Sequence, residues 1–299
     1  MIQQSLPWIK RGLRVAFPIL LLGLLWHWLD GQEILTWLKR ANGWWLLLAF
    51  LLLTTQLISS ALRWQLTAHQ LGQNLTRKRA VSEYYLSMLC NLTLPGGVLG
   101  DASRAWRGRS EAGLGTAVSA VVIERLAGQL AMISVLTLAI TQTAFGNHWA
   151  LGLAAVILVV SLLLWRGPKW VKRFGTAIRQ AWFTRHAWPR QLSLTVLILS
   201  CNLGAFAACA AAIGVSFSSL SSALIVLPLT LMVMVLPVSV AGWGLREGAA
   251  ATLWPMAAIS SEAAVAASIL YGIVATASAL PGLAIPLGLR ARERAGAPG

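Results

Sequence analysis

The chain has 299 residues, 57% of them hydrophobic and 11% charged, whereas a soluble domain carries about a quarter charged residues. This balance excludes a soluble globular enzyme and leaves no room for a separate catalytic domain, so the chain reads as an integral membrane protein with short loops. The net charge of +15 does not mark a nucleic-acid partner, because the Lys and Arg residues cluster between apolar runs as topology signals and anionic-lipid contacts.

In chain order, Lys10, Arg11 and Arg14 precede an apolar run that reaches Trp28. No small-residue cleavage site follows, so an anchoring helix is expected and not a removed signal peptide. Runs long enough to cross a bilayer, about 20 residues, lie near 13–29, 44–63, 114–142, 149–165, 190–214 and 262–288. Two more apolar runs are broken, 80–112 at Pro95-Gly96-Gly97 and 222–257 around Pro237 to Gly244.

Charge decides which of these cross. The basic amino terminus, Arg63 with Arg77-Lys78-Arg79, the 166–190 stretch with seven Lys or Arg and no acid, and Arg290, Arg292 and Arg294 are assigned to the cytoplasm. The mixed-charge 30–43 loop and the uncharged 143–148 loop go outside. Only an odd number of crossings joins an inside loop to an outside one. Segment 114–142 supplies that crossing, so 80–112 must enter and leave on the cytoplasmic side, and 222–257 on the outer side. The expected fold is all-α: six spanning helices plus two oppositely entering re-entrant helical hairpins. Trp26, Trp28, Trp44, Trp45 and Trp149 are expected as outer interfacial anchors, and Trp64, Trp165 and Trp170 as inner ones. Residues 168–183 pattern as an amphipathic helix on the cytoplasmic interface.

The two breaks share a motif at one offset. Leu94-Pro95, Val98, Gly100 and Arg104 align with Leu236-Pro237, Val240, Gly242 and Arg246. Opposite sides and a shared motif are what an inverted-topology repeat produces, and such repeats build transport sites near the midplane. The expected organisation is one polytopic membrane domain over 1–290. It divides into a first repeat at about 44–142, a cytoplasmic amphipathic segment at 166–189 and a second repeat at about 190–288, before a flexible tail at 291–299.

Ionisable residues at bilayer depth are costly and mark function by default. The candidates are Asp101, Glu124 and Glu247 against Arg104, Arg125 and Arg246. Asp101 and Arg104 stand at i, i+3 and can pair on one helix face. Glu124 and Arg125 point about 100° apart on a helix, so each needs a different partner. Two readings stay open: the charges pair as interhelical staples, or the arginines receive a lipid phosphate with their planar forks. Gly96, Gly97, Gly100, Gly242 and Gly244, with Pro95 and Pro237, form the expected hairpin backbone, allowing left-handed turns and close approach. Cys90, Cys201 and Cys209 and the scattered His27, His69, His148 and His186 have no metal-ligand spacing, and no GxxxxGK loop is present. No metal, cofactor or catalytic residue is expected.

The segments "LTLPGGVLGDASRAW", "VVIERLAG" and "LPVSVAGWGLREG", in this order, resemble the flippase-type transmembrane domain of lysylphosphatidylglycerol synthases, the multiple peptide resistance factor type. The resemblance covers about residues 10–290. It implies re-entrant segments, movement of anionic or amino-acylated lipids between leaflets, and Asp101, Arg104, Glu124, Arg125, Arg246 and Glu247 as the functional polar set. Some relatives of this domain are linked to glycosylation or isoprenoid-lipid pathways. The aminoacyl-transferase domain of the full synthases has no counterpart before "RARERAGAPG", so lipid lysylation is not expected of this chain.

The leading expectation is a non-enzymatic flippase of the bacterial cytoplasmic membrane with both termini inside. It would move an anionic, aminoacylated or polyprenyl-phosphate-linked lipid, passively or with an ion gradient. A membrane enzyme, or an accessory scaffold in lipid-linked glycan or phospholipid modification, is the alternative. Membrane lipids are the expected partners, and a homo-oligomer or a partner synthase or glycosyltransferase stays open.

Overall fold

The computed structural model describes residues 20–94, 98–109, 113–141, 169–235 and 240–285, and the regular elements among them are all helical. Residues 20–28 are helical and end the first expected span. The span at 149–165 and the tail at 291–299 lie outside the described residues. The expected outer loop at 30–43 holds a helix of its own, α1 (Gly31–Lys39). Asp30 caps it by accepting from the Gln32 and Glu33 amides at 2.9 and 3.3 Å, which satisfies donors that a helix start leaves free.

Helix α2 (Gly43–Gln70) begins where Asn42 caps it, and the Asn42 amide donates to the Ala212 carbonyl at 2.8 Å. That bond ties the start of α2 to the end of α7 (Trp188–Ala212), the helix α2 packs against most extensively. Between them in the chain come α3 (Arg77–Thr93), α4 (Leu99–Arg107), α5 (Leu114–Thr141) and α6 (Lys169–Trp182). After α7 follow α8 (Leu220–Met232), a 3-10 turn at Val233–Val235 and α9 (Leu245–Leu253). A second 3-10 turn at Trp254–Ala257 leads into α10 (Ser261–Ala279), which a third prolongs to Leu283.

Among the described residues, α2, α5, α7 and α10 with its 3-10 extension are long and apolar enough to cross a membrane. The most deeply packed of them is α10, where Ala263, Ala264, Ala266 and Ala267 are buried. Without bulky side chains its neighbours approach closely, which is how helices associate in lipid. Leu130 and Leu138 of α5 and Val196 of α7 are more than half exposed and face outward, as a lipid-facing surface requires.

Helices α3 and α4 form an antiparallel hairpin. Near its tip the Gly100 amide donates to Asn91 Oδ1 at 2.8 Å, and Gly100 passes so close to the Ser87 carbonyl that a Cβ would not fit. At its open end Arg79 Nη2 donates to the Arg107 carbonyl at 3.4 Å, and Arg107 Nε pairs with Glu83 Oε2 at 2.5 Å. The 17 residues of α3 rise about 25 Å, less than the hydrocarbon core of about 30 Å. Pro95, Gly96 and Gly97 lie outside the described residues.

Two of the basic segments, Arg77-Lys78-Arg79 and the α6–α7 turn, lie at the same end of α2. Thr184 Oγ1 donates to Gln70 Oε1 at 3.2 Å and Gln191 Nε2 to Thr67 Oγ1 at 3.0 Å. These bonds seat the α6–α7 turn on the end of α2, which the Arg77-Lys78-Arg79 stretch then leaves. Lys172, Arg173 and Arg179 of α6 are exposed while Ala181 is fully buried, so the expected amphipathic helix is present. Trp26, Trp28, Trp44 and Trp45 are exposed, as anchors should be. Trp64 is not an anchor: it is 3% exposed and belongs to a core cluster with Leu57 and Tyr84. Its polar partner there is the guanidinium of Arg104.

Candidate functional site

The first polar cluster forms where α2, α3, α4 and α5 meet. Asp101 lies in the first turn of α4, where a carboxylate complements the helix dipole. One turn on, Arg104 Nη2 reaches Asp101 Oδ1 at 3.0 Å. On α5, Glu124 and Arg125 diverge as helical neighbours must. Arg125 turns to α4 and grips Asp101 with both edges of its fork, Nε to Oδ2 at 2.8 Å and Nη2 to Oδ1 at 3.1 Å. Glu124 turns to α2 and accepts from Arg63 Nη2 at 2.9 Å, with Tyr84 Oη at 3.3 Å and Arg104 Nη2 at 3.4 Å. Arg63 Nη1 then donates to Thr195 Oγ1 of α7 at 3.1 Å, and Ser87 Oγ donates to Asp101 Oδ1 at 3.2 Å.

Arg104 is 1% exposed. Its guanidinium lies over the Trp64 ring at 4.4 Å and the Tyr84 ring at 4.6 Å, a cation–π arrangement that compensates part of its desolvation. Its Nε and Nη1, and Nε of Arg63, are buried without a hydrogen-bond partner. Beside this cluster a cavity of about 120 Å³ opens between α2, α5 and α7, lined by Arg63, Tyr84, Glu124, Arg125, Gln129 and Asn202 among others.

The second cluster follows the second break. Gly242 and Gly244 have φ of 79° and 82°, left-handed values that glycine adopts without a Cβ clash. The chain thereby turns sharply into α9, and the Gly244 amide donates to Glu247 Oε2 at 2.7 Å. Arg246 Nη2 meets Glu247 Oε1 at 2.6 Å and its Nε meets Ser268 Oγ of α10 at 2.9 Å, while Ser268 Oγ donates to Glu247 Oε1 at 2.9 Å. The Arg246 guanidinium lies 5.1 Å from the Trp243 ring and 5.3 Å from the Tyr271 ring. Pro237 lies outside the described residues.

Of the six charged residues that the sequence singles out, Asp101, Arg104, Glu124, Arg246 and Glu247 are buried and Arg125 is exposed, and they form two clusters and not one. Asp101, Arg104, Glu124 and Arg125 belong to the first, Arg246 and Glu247 to the second. Among the described residues a hydrogen bond leads from the second cluster to the cavity of the first: Tyr271 Oη donates to Asn202 Oδ1 at 2.6 Å, and Asn202 lines that cavity. Of the hairpin glycines, Gly100 serves close approach, whereas Gly242 and Gly244 serve the turn.

Both clusters lie inside a single homology match. The family profile described as the lysylphosphatidylglycerol synthase TM region matches residues 12–282. The chain belongs to that family. No curated protein matches the chain. In this member of the lysylphosphatidylglycerol synthase TM-region family, sequence reasoning overlooked Arg63, which it counted among the cytoplasmic charges. A usable signal was present: no Gly or Pro occurs from Arg63 to Leu71, so α2 could continue and carry Arg63 inward. Trp64, Tyr84, Asn202 and Tyr271 were also missed, and nothing local in the sequence sets them apart from core aromatics and helix amides.

Proposed function

We propose that this protein is a lipid translocase of the bacterial cytoplasmic membrane, moving a lipid with an anionic phosphate head, plain, aminoacylated or polyprenyl-linked, between leaflets. The observation that carries the reading is an excess of one arginine at a polar cavity, supplied by the part-exposed Arg125 beside the buried Arg63 and Arg104. Arg63, Arg104 and Arg125 face only Asp101 and Glu124, and guanidinium nitrogens in the group have no hydrogen-bond partner. The buried Arg63 and Arg104 are already balanced by Asp101 and Glu124, so a structural staple is complete without Arg125. A cation cluster that receives an anionic head group has reason to keep one charge unmatched.

The arrangement of the two arginines supports an inverted repeat. Arg104 and Arg246, paired by the sequence motif, each lie between one tryptophan and one tyrosine, Trp64 with Tyr84 and Trp243 with Tyr271. In this reading α3–α4 and α8–α9 are re-entrant hairpins from opposite faces, both termini are cytoplasmic, and a lipid passes between them. The cavity as described is too small for a whole lipid, so α5 and α7 must separate during transport. No group transfer is assigned to the chain.

The test is purified protein in liposomes with labelled phospholipids and polyprenyl-phosphate lipids, following leaflet exposure over time. Faster exchange of a phosphate-bearing lipid than in empty liposomes is the expected result. Failure to move any lipid class, with or without a pH gradient, removes the translocase reading.

A further inference from the structure

We infer that the cavity between α2, α5 and α7 is a subsite for one monoanionic phosphodiester, and that Asn202 is its neutral hydrogen-bond donor, oriented by Tyr271. The inference deepens the translocase reading and rests on it for the claim that the bound lipid is cargo.

The charge count gives the ligand class. Among the described residues, three arginines and two carboxylates make up the cluster at the cavity, with ion pairs Arg63–Glu124, Arg104–Asp101, Arg104–Glu124 and Arg125–Asp101. One positive charge is left over, and a phosphodiester carries one negative charge. The cavity of about 120 Å³ has room for a head-group phosphate. Arg63 and Arg125 both line this space, and guanidinium forks are suited to phosphate oxygens.

Asn202 supplies the remaining donor. Its Oδ1 is occupied by the Tyr271 hydroxyl at 2.6 Å, which leaves the Nδ2 donors as the amide's open groups in a cavity that Asn202 lines. An amide free to rotate would present acceptor and donor alike, and the acceptor would repel a phosphate oxygen. Tyr271 is itself fixed, with its ring stacked on Phe206 at 4.7 Å and Arg246 5.3 Å from its centroid. The second cluster therefore sets the orientation of a donor in the cavity of the first, a positioning role that reaches from α10 through α7.

The experiment measures binding of short-chain phosphatidylglycerol to the full chain in detergent, with short-chain phosphatidylcholine and inorganic phosphate as parallel ligands. Phosphatidylglycerol is expected to bind more tightly than either, since phosphatidylcholine has the same phosphodiester but brings a choline cation to a site with an arginine in excess. Asn202→Asp places a carboxylate where the missing negative charge belongs, so it should weaken phosphatidylglycerol binding about tenfold or more while leaving the melting temperature at or above that of the parent protein. Tyr271→Phe keeps the ring and frees the amide, and should weaken binding severalfold. Unchanged binding in both variants would overturn the inference, as would a clear loss of stability in Asn202→Asp. Equal affinity for inorganic phosphate would overturn the lipid assignment. If the parent protein binds phosphatidylglycerol with this dependence yet moves no lipid in liposomes, the subsite stands and the translocase reading fails. If the parent protein moves lipid and both variants move it equally well, the subsite fails and the translocase reading stands.

Discussion

Asp101 and Arg125 are joined by two parallel hydrogen bonds, Nε to Oδ2 at 2.8 Å and Nη2 to Oδ1 at 3.1 Å, from residues on different helices. The pair fastens the short α4 to the membrane-spanning α5. Its two halves are not equivalent, because Asp101 also holds Arg104 and Ser87, while Arg125 has a 43% exposed side chain. Asp101→Asn should therefore destabilise the protein by about 3 kcal/mol, leaving two guanidinium groups short of a partner. Arg125→Gln leaves Asp101 paired to Arg104 and should cost about 1 kcal/mol. Thermal unfolding in detergent checks the order, and equal losses would contradict this account of the pair.

Gly100 offers a steric test of the hairpin. A Cβ there meets the backbone carbonyl of Ser87, which cannot swing aside. Gly100→Ala should lower stability by about 2–3 kcal/mol through overpacking. Gly248 in α9 has open space where its Cβ would point, so Gly248→Ala should be neutral or stabilising by up to about 1 kcal/mol through helix propensity. A pair of similar melting temperatures would mean that α3 and α4 do not pack this closely.

The Arg246–Glu247 centre should behave as a single unit. Glu247 accepts from Arg246, Ser268 and the Gly244 amide and is fully buried. Glu247→Gln is expected to destabilise by about 3–5 kcal/mol, because Arg246 is left buried without a counter-charge. Ser268→Ala removes one partner and should cost about 1 kcal/mol. Denaturation of the single and double variants would show strong non-additivity if the unit is real.

The hairpin's side of approach is open to chemical labelling. Val98 is 54% exposed and adjoins the tip of the α3–α4 hairpin. In a variant lacking Cys90, Cys201 and Cys209, a cysteine at 98 should react with reagents supplied from the cytoplasmic side. Reaction from the outer side alone would show that α3 crosses the membrane.

Arg104 separates charge from shape. Arg104→Lys keeps the charge but loses the planar fork and its stacking between Trp64 and Tyr84. Lipid movement is expected to fall about tenfold or more, in the liposome assay, with the variant still folded. Full activity in Arg104→Lys would reduce the arginine to a point charge.

Much of the site was legible one residue at a time. The i, i+3 spacing gave the Asp101–Arg104 pair, and the 100° divergence of helical neighbours gave Glu124 and Arg125 separate partners. Gly242 and Gly244 stood out because only glycine turns left-handed without strain. Arg63 was misplaced because a positive charge near the end of an apolar run looks the same whether it leaves the membrane or is carried inward by further helical turns. Trp64 was misread for a related reason: a tryptophan beside a basic residue fits an interfacial anchor as well as a cation–π partner.

By itself the sequence determined the membrane class and the four long apolar helices found among the described residues, because apolar length and charge distribution are local properties. It also located most of the buried charges, since ionisable residues in apolar runs are rare. Which charge meets which was decided only by tertiary structure. Arg63 reaches Glu124 across 61 positions and Thr195 across 132, contacts set by how α2, α5 and α7 pack. That same packing split one expected constellation into two clusters, and it left Tyr271 and Asn202 as a hydrogen bond between them.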